Sequence, residues 1–289
     1  MVLKMNFLSK HLGMQTNVTV CLPSFSFADV MEKRQSVYVK GMKYQTLYLL
    51  HGGSGDDSDY VNFSNIVRYA DNHKLAVVMP CDFNADYTDA PKGPRYLRYV
   101  TEELPEMLQA VLPLSDRRED NFIGGLSMGA HGAMKISLLY PERYAAVLVM
   151  SGAARSAATM DLMKQARPQD SDGMPIPDME ALYGDLAAFR GSKHDAYAAA
   201  EKAAAAGGPL PEYFFACGGN DFALPRCKGG YEALTKLGFA THYLEVPGYG
   251  HEWDFWDMIL RKAIEEWLPI RHQVIYPAGT ETAGEAERA

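Results

Sequence analysis

The chain has 289 residues, 47% of them hydrophobic and 22% charged, so there is ample apolar material for a large core. A net charge of −8 with no basic run anywhere argues against a nucleic-acid or polyanion surface. No stretch approaches the roughly 20 apolar residues that a bilayer span requires, so no membrane partner is expected.

In chain order, the opening "MVLKMNFLSKHLGMQTNVTVCLP" is interrupted by polar residues every few positions and has no apolar run of signal-peptide length. A soluble cytoplasmic protein is therefore the expectation. On that footing Cys21, Cys81, Cys217 and Cys227, which lack the paired spacing of a zinc site, read as free thiols. The sequons at Asn17 and Asn62 are discounted by the same reasoning.

From about residue 45, short apolar runs alternate with longer amphipathic ones. "QTLYLLHGG" reads as a buried strand ending at glycines, followed by a helix around Tyr60 to Asp71. "KLAVVMP" is a strand, "YVTEELPEMLQAVLP" a helix, "NFIGGLS" a strand and "MGAHGAMKISLLYPERY" a helix. "AAVLVMSG", "EYFFACGG" and "ATHYLEVPG" are further strands, and a last helix carries Trp256, Leu260, Ala263 and Trp267 at helical spacing. Strands that are apolar throughout, alternating with helices, predict an α/β fold with a mostly parallel sheet covered on both faces.

Two segments break the rhythm. Residues 154–210, with "RPQDSDGMPIPD" and "KHDAYAAAEKAAAAGG", show no convincing strand and read as a small cap inserted over the carboxyl ends of the strands. Residues 276–289 are small and polar and read as a flexible tail to a single domain over 1–275. Oligomeric state is left open between monomer and homo-oligomer.

Chemistry concentrates in "FIGGLSMGAHGAM". Gly125, Ser127 and Gly129 spell GxSxG directly after a strand and directly before a helix, the setting in which a strained turn lifts a serine hydroxyl above the sheet. The bland alternatives are close packing and phosphate binding, the second disfavoured because neither GK[ST] nor GxGxxG is present. A serine nucleophile needs a base, and the base needs an orienting acid, expected in the order serine, acid, histidine.

His251, in a loop between Gly250 and the last helix, suits the base better than His242 within a strand, His194 in the cap, or His131 on the serine's own helix. Phe255 stands where a zinc helix HExxH would need its second histidine, so no metal and no cofactor is expected. Asp221, after a buried strand and two glycines, is the favoured acid, with Asp82 and Asp161 as competitors. An oxyanion needs two backbone N–H donors, expected at Met128 and at Gly53, with Ser54 next. Tyr87, Asp89, Trp253 and Tyr183 are pocket candidates without an assigned role.

Taken together, "LLHGGSGDD", "IGGLSMGAHGAMK", "CGGNDF" and "GHEWDFW" resemble the esterase family of α/β hydrolases that includes tributyrin esterases, S-formylglutathione hydrolase, feruloyl and acetylxylan esterases and the mycolyltransferases. The opening "MNFLSKHLGMQTNVTVCLP" and the HEWxxW ending are most similar to the tributyrin esterase branch, and the likeness runs from about residue 5 to 270. It implies an α/β-hydrolase fold and a serine carboxylesterase acting on short-chain acyl esters, with Ser127, Asp221 and His251 as triad and Gly53 and Met128 as backbone donors. A formylglutathione-type thioesterase and a feruloyl or acetylxylan esterase are the near alternatives; a catalytically silent binding module is the remote one. The partner implied is a small-molecule ester. Ala130 departs from the glycine common after GxSxG in that family.

Overall fold

The computed structural model describes residues 1–31, 38–165 and 177–278. Its centre is one eight-stranded sheet built from β1 (Val2–Ser9), β2 (Met14–Cys21), β3 (Gln45–Leu50), β4 (Leu75–Pro80), β5 (Asn121–Leu126), β6 (Ala146–Met150), β7 (Glu212–Gly218) and β8 (Thr241–Val246), in the order β1-β2-β4-β3-β5-β6-β7-β8. The pairs from β4 through β8 are parallel; β1 with β2 and β2 with β4 are antiparallel.

Successive side chains of a strand point to opposite faces, and here both faces are covered. Ile123, Val147 and Val149 enter one apolar cluster with Leu50 and Leu104, while Phe122, Leu148 and Met150 enter the other with Phe255 and Leu260. That double burial is why β3 to β7 read as unbroken apolar runs. β8 lies at the sheet edge and is only half-buried along its length, so its polar residues Thr241 and Glu245 are tolerated.

The hairpin β1–β2 lies outside the predicted strands. Its first strand alternates exposed and half-buried residues, with Leu3, Met5 and Phe7 turned toward the core, a pattern too polar on one side to stand out as a buried strand. Glu103 pins its turn by accepting from Ser9 Oγ at 2.6 Å and Lys10 N at 2.8 Å. The helix expected around Tyr60 to Asp71 is two short ones, Asp59–Phe63 and Ile66–Asn72, separated at Ser64 and Asn65.

Between β6 and β7, the described residues of the segment predicted as a cap contain helices and no strand: Ala157–Gln165, Met179–Tyr183, the short turn Leu186–Ala188, and Ala196–Ala206. Met160, Met179, Tyr183, Leu186 and Phe189 form a small apolar cluster of their own. The tail predicted from residue 276 lies outside the described residues beyond 278. No described helix is long and apolar enough to cross a membrane.

Candidate active site

The strand β5 ends at Leu126 and the helix Met128–Leu139 begins two residues later, leaving Ser127 to turn the chain alone. It does so at φ 54°, ψ −112°, a conformation that costs a side-chain-bearing residue on the order of 1–3 kcal/mol. The surroundings hold it there: Ser127 N donates to Met150 O at 2.9 Å, and His131 N donates to Ser127 O at 3.2 Å. The flanking glycines are needed for space. A Cβ at Gly125 would lie 2.7 Å from Leu50 O, and one at Gly129 would lie 2.7 Å from His51 O and closer still to Leu50 O.

Asp221 and His251 stand at the ends of β7 and β8 and are paired, with His251 Nδ1 at 3.0 Å from both carboxylate oxygens. A carboxylate only accepts, so Nδ1 carries the proton and Nε2 is left as the basic nitrogen. Asp221 Oδ1 also accepts from Ala223 N at 2.7 Å, which fixes the carboxylate. The imidazole lies between two rings, with Phe222 at 4.4 Å and Trp256 edge-on at 4.9 Å between centroids. Trp256 Nε1 in turn donates to Ser151 Oγ at 2.9 Å, at the end of β6, so the indole ties the histidine loop back toward the strand beside β5. Among the described residues Ser127 Oγ makes no hydrogen bond; such contacts are often long before substrate binds.

The loop after β3 is shaped by a second network. Tyr60 OH donates to Leu50 O at 2.8 Å and Tyr87 OH to His51 O at 3.0 Å. Asp82 N donates to His51 Nε2 at 2.8 Å, so His51 Nδ1 holds the proton and donates to Gly52 O. Burial pushes the His51 imidazole below its usual pKa and keeps it neutral. Ser54 N is taken by Asn84 Oδ1 at 2.7 Å, which removes it as an oxyanion donor. Gly53 N and Met128 N have no acceptor among the described residues, and both residues border the same cleft as Ser127.

That cleft, of about 230 Å³, is also bordered by charged groups for which the sequence gives no motif. Asp86, fully buried, receives both Arg155 Nε and Arg155 Nη2, the latter at 2.6 Å, and Tyr183 OH at 2.6 Å. His131 Nε2 lies 3.0 Å from Tyr183 OH, and His131 Nδ1 accepts from Arg155 N at 3.0 Å. Lys135 Nζ donates to Asp86 O at 2.9 Å. Although burial opposes ionisation, the Arg155 charge holds the Asp86 carboxyl well below the usual range; desolvation pushes His131 down and leaves it neutral. Arg226, in the first turn of the helix Leu224–Lys236, borders the cleft too, and its Nε is buried with no partner.

The remaining predicted residues fall elsewhere. Asp82 is wholly buried, accepts from Ala85 N at 2.6 Å and from Tyr87 N, and braces the loop after β4; burial raises it to about 7. Asp161 is exposed on the helix Ala157–Gln165. His242 pairs with Glu212 at 2.7 Å and stacks on Phe214, and His194 lies 3.0 Å from Thr88 Oγ1. Of the unassigned pocket residues, Tyr87 and Tyr183 join the two networks above, Asp89 pairs with Arg98, and Trp253 packs on Tyr60 and Phe63. All four cysteines are buried free thiols, and the described residues contain no group of three or more metal-ligating side chains.

Residues 9–211 match the family model described as "Putative esterase". The chain is 30% identical over 268 residues to an acetyl esterase of Caldicellulosiruptor saccharolyticus, covering 92% of this chain and 97% of the relative. A fluorophosphonate-binding serine hydrolase F of Staphylococcus aureus superposes with a TM-score of 0.77 at 32% identity, covering 91% of this chain and 96% of that one. An S-formylglutathione hydrolase from the same organism gives 0.75 at 31%, covering 91% and 97%. The chain therefore belongs to this esterase family of α/β hydrolases. It is a carboxylic ester hydrolase of the serine type.

Proposed function

We propose that the protein hydrolyses short-chain acyl esters of small molecules through an acyl-enzyme, with Ser127 as nucleophile, His251 as general base and acid, and Asp221 as the carboxylate that orients His251. The observation that carries this reading is the pairing of His251 Nδ1 with Asp221, which leaves Nε2 basic at the carboxyl ends of the parallel strands, where the strained Ser127 also emerges. His251 Nε2 takes the Ser127 proton as Oγ attacks the carbonyl, returns it to the leaving alcohol, then activates water for deacylation. The N–H groups of Gly53 and Met128 receive the oxyanion; each such donor contributes roughly 3–4 kcal/mol. A cleft of about 230 Å³ favours a small acyl group. A cytoplasmic setting belongs to this reading, supported by the buried free thiols.

Labelling with a fluorophosphonate probe tests it directly. The native protein should label on Ser127, and Ser127→Ala, still folded, should neither label nor retain more than about a thousandth of the esterase activity. A folded native protein that fails to label would overturn the reading. A second reading, a thioesterase of the formyl type, is favoured by the 48% identity over 67 residues to an S-formylglutathione hydrolase of Paracoccus denitrificans. The ratio of activity on formyl thioester to that on butyryl ester separates the two.

A further inference from the structure

Arg226 is the group that the esterase chemistry leaves unused. Its guanidinium belongs to the first turn of the helix after Asp221, it borders the same cleft as Ser127, and its Nε is shut off from solvent without an acceptor. Buried guanidinium N–H groups ordinarily find a carboxylate or carbonyl, so an orphan one beside a substrate cleft calls for a ligand.

The two carboxylates in its electrostatic neighbourhood are Asp86 and Asp221. Asp86 is already saturated by Arg155 and Tyr183, and Asp221 by His251 and Ala223 N. Arg226 forms no ion pair among the described residues. Among the described residues, the charges lining the cleft are Asp86, Arg155 and Arg226, with His131 neutral, so that lining carries one more positive than negative charge inside a protein of net charge −8. With a net negative protein around it, an anion would be held here by the local, partly buried guanidinium and not by long-range attraction.

We infer that Arg226 is a specificity residue that receives a carboxylate carried by the substrate itself, so that the preferred ester is an acidic one. This rests on the esterase reading above and narrows it to a substrate class. The carboxylate can sit on the acyl side or on the alcohol side of the ester, and matched substrates distinguish them. For the acyl side, the mono-para-nitrophenyl ester of adipic acid is compared with para-nitrophenyl hexanoate. For the alcohol side, para-acetoxybenzoate is compared with para-acetoxybenzamide.

In the native enzyme the charged member of one pair should exceed its neutral partner in kcat/KM by about tenfold or more, chiefly through KM, because a site built for a polar group discriminates strongly against its absence. Raising salt from about 50 to about 500 mM should shrink that ratio only in part, since a desolvated pair is poorly screened. Arg226→Gln should lower the ratio by about tenfold or more, and Arg226→Lys should keep part of it, because an ammonium supplies the charge without the fork. A residue that only packs would change both members of a pair alike.

Ratios at or below one for both pairs in the native enzyme, or a ratio unmoved by Arg226→Gln, would overturn the inference while leaving the esterase reading standing. If no ester is hydrolysed, that reading fails first. Calorimetric titration of the protein with free adipate and para-hydroxybenzoate, native against Arg226→Gln, then decides the anion site by itself: heat of binding lost in the variant supports it, and no binding to the native protein, or binding unchanged in the variant, rejects it.

Discussion

Ser127 takes a backbone conformation that costs free energy, and the cleft beside it is walled in part by buried charge. Asp86 is the clearest case. It is buried, φ-positive, and binds Arg155, Tyr183 and Lys135 from three different parts of the chain. Removing one partner of a buried ion pair leaves the other charge uncompensated and costs on the order of 3–5 kcal/mol. Asp86→Asn should therefore lower the urea midpoint severely, whereas Asp89→Asn, whose partner Arg98 is half exposed, should lower it far less. Equal midpoints for the two variants would contradict this account. Ser127, Asp221 and His251 could be singled out in sequence because each follows a strand and stands beside glycines, a local and repeated signal. Asp86, Arg155, Tyr183 and Arg226 carried no such signal: they converge from segments dozens of residues apart, and only "FNADYTD", dense in residues that tolerate φ above zero, hinted at an unusual loop.

At the scale of elements, the strand–elbow–helix unit is constrained by how closely its helix approaches β3. Alanine at Gly129 would place a methyl group against two backbone carbonyls, Leu50 O and His51 O, neither of which can swing aside as a side chain can. Gly129→Ala should cost about 3 kcal/mol or more, toward the upper end for overpacking, and displace the Gly53 loop together with the elbow. Thermal melting together with esterase assay checks it; a variant as stable and active as the native protein would show that the helix has room. The parallel strands β3 to β7 were readable as unbroken apolar runs because both faces are buried, while β1, alternating between exposed and half-buried residues, and β2, polar in its first half, make no such run. The break in the helix near Ser64 and Asn65 likewise left no Gly or Pro as a marker.

For the whole molecule, three histidines are buried with their pKa pushed down by desolvation: His51, His131 and His194, the last lowered to about 4 with help from the Lys135 charge. In the unfolded chain each would take up a proton near pH 6.5. A depressed folded pKa contributes stability that is present above the unfolded value and lost as pH falls through the folded one. The histidine share of the unfolding free energy should thus decline from about pH 6.5 toward pH 4, with His194 contributing at most about 3 kcal/mol of the loss. Asp82, raised to about 7, works in the opposite sense: its contribution is lost as pH rises from the usual carboxylate value of about 4 up to that value, so it offsets part of the histidine effect over the same range. Urea titrations at several pH values, native against His194→Gln, isolate the histidine: the variant should show a shallower decline, and identical slopes would refute the assignment.

The sheet order has a consequence for how the protein comes into being. The Gly53 loop follows β3, the elbow follows β5, the acid follows β7 and the histidine follows β8, all on parallel neighbours joined by crossovers. Such pairings are non-local, and topologies rich in them fold slowly. During synthesis, a chain that has emerged only as far as β7 holds the proposed nucleophile, Ser127, without the proposed base, His251. On the proposed roles, Ser127, Asp221 and His251 come together only once β8, the last of the eight strands, is laid down, so the order of the strands doubles as a delay on activity.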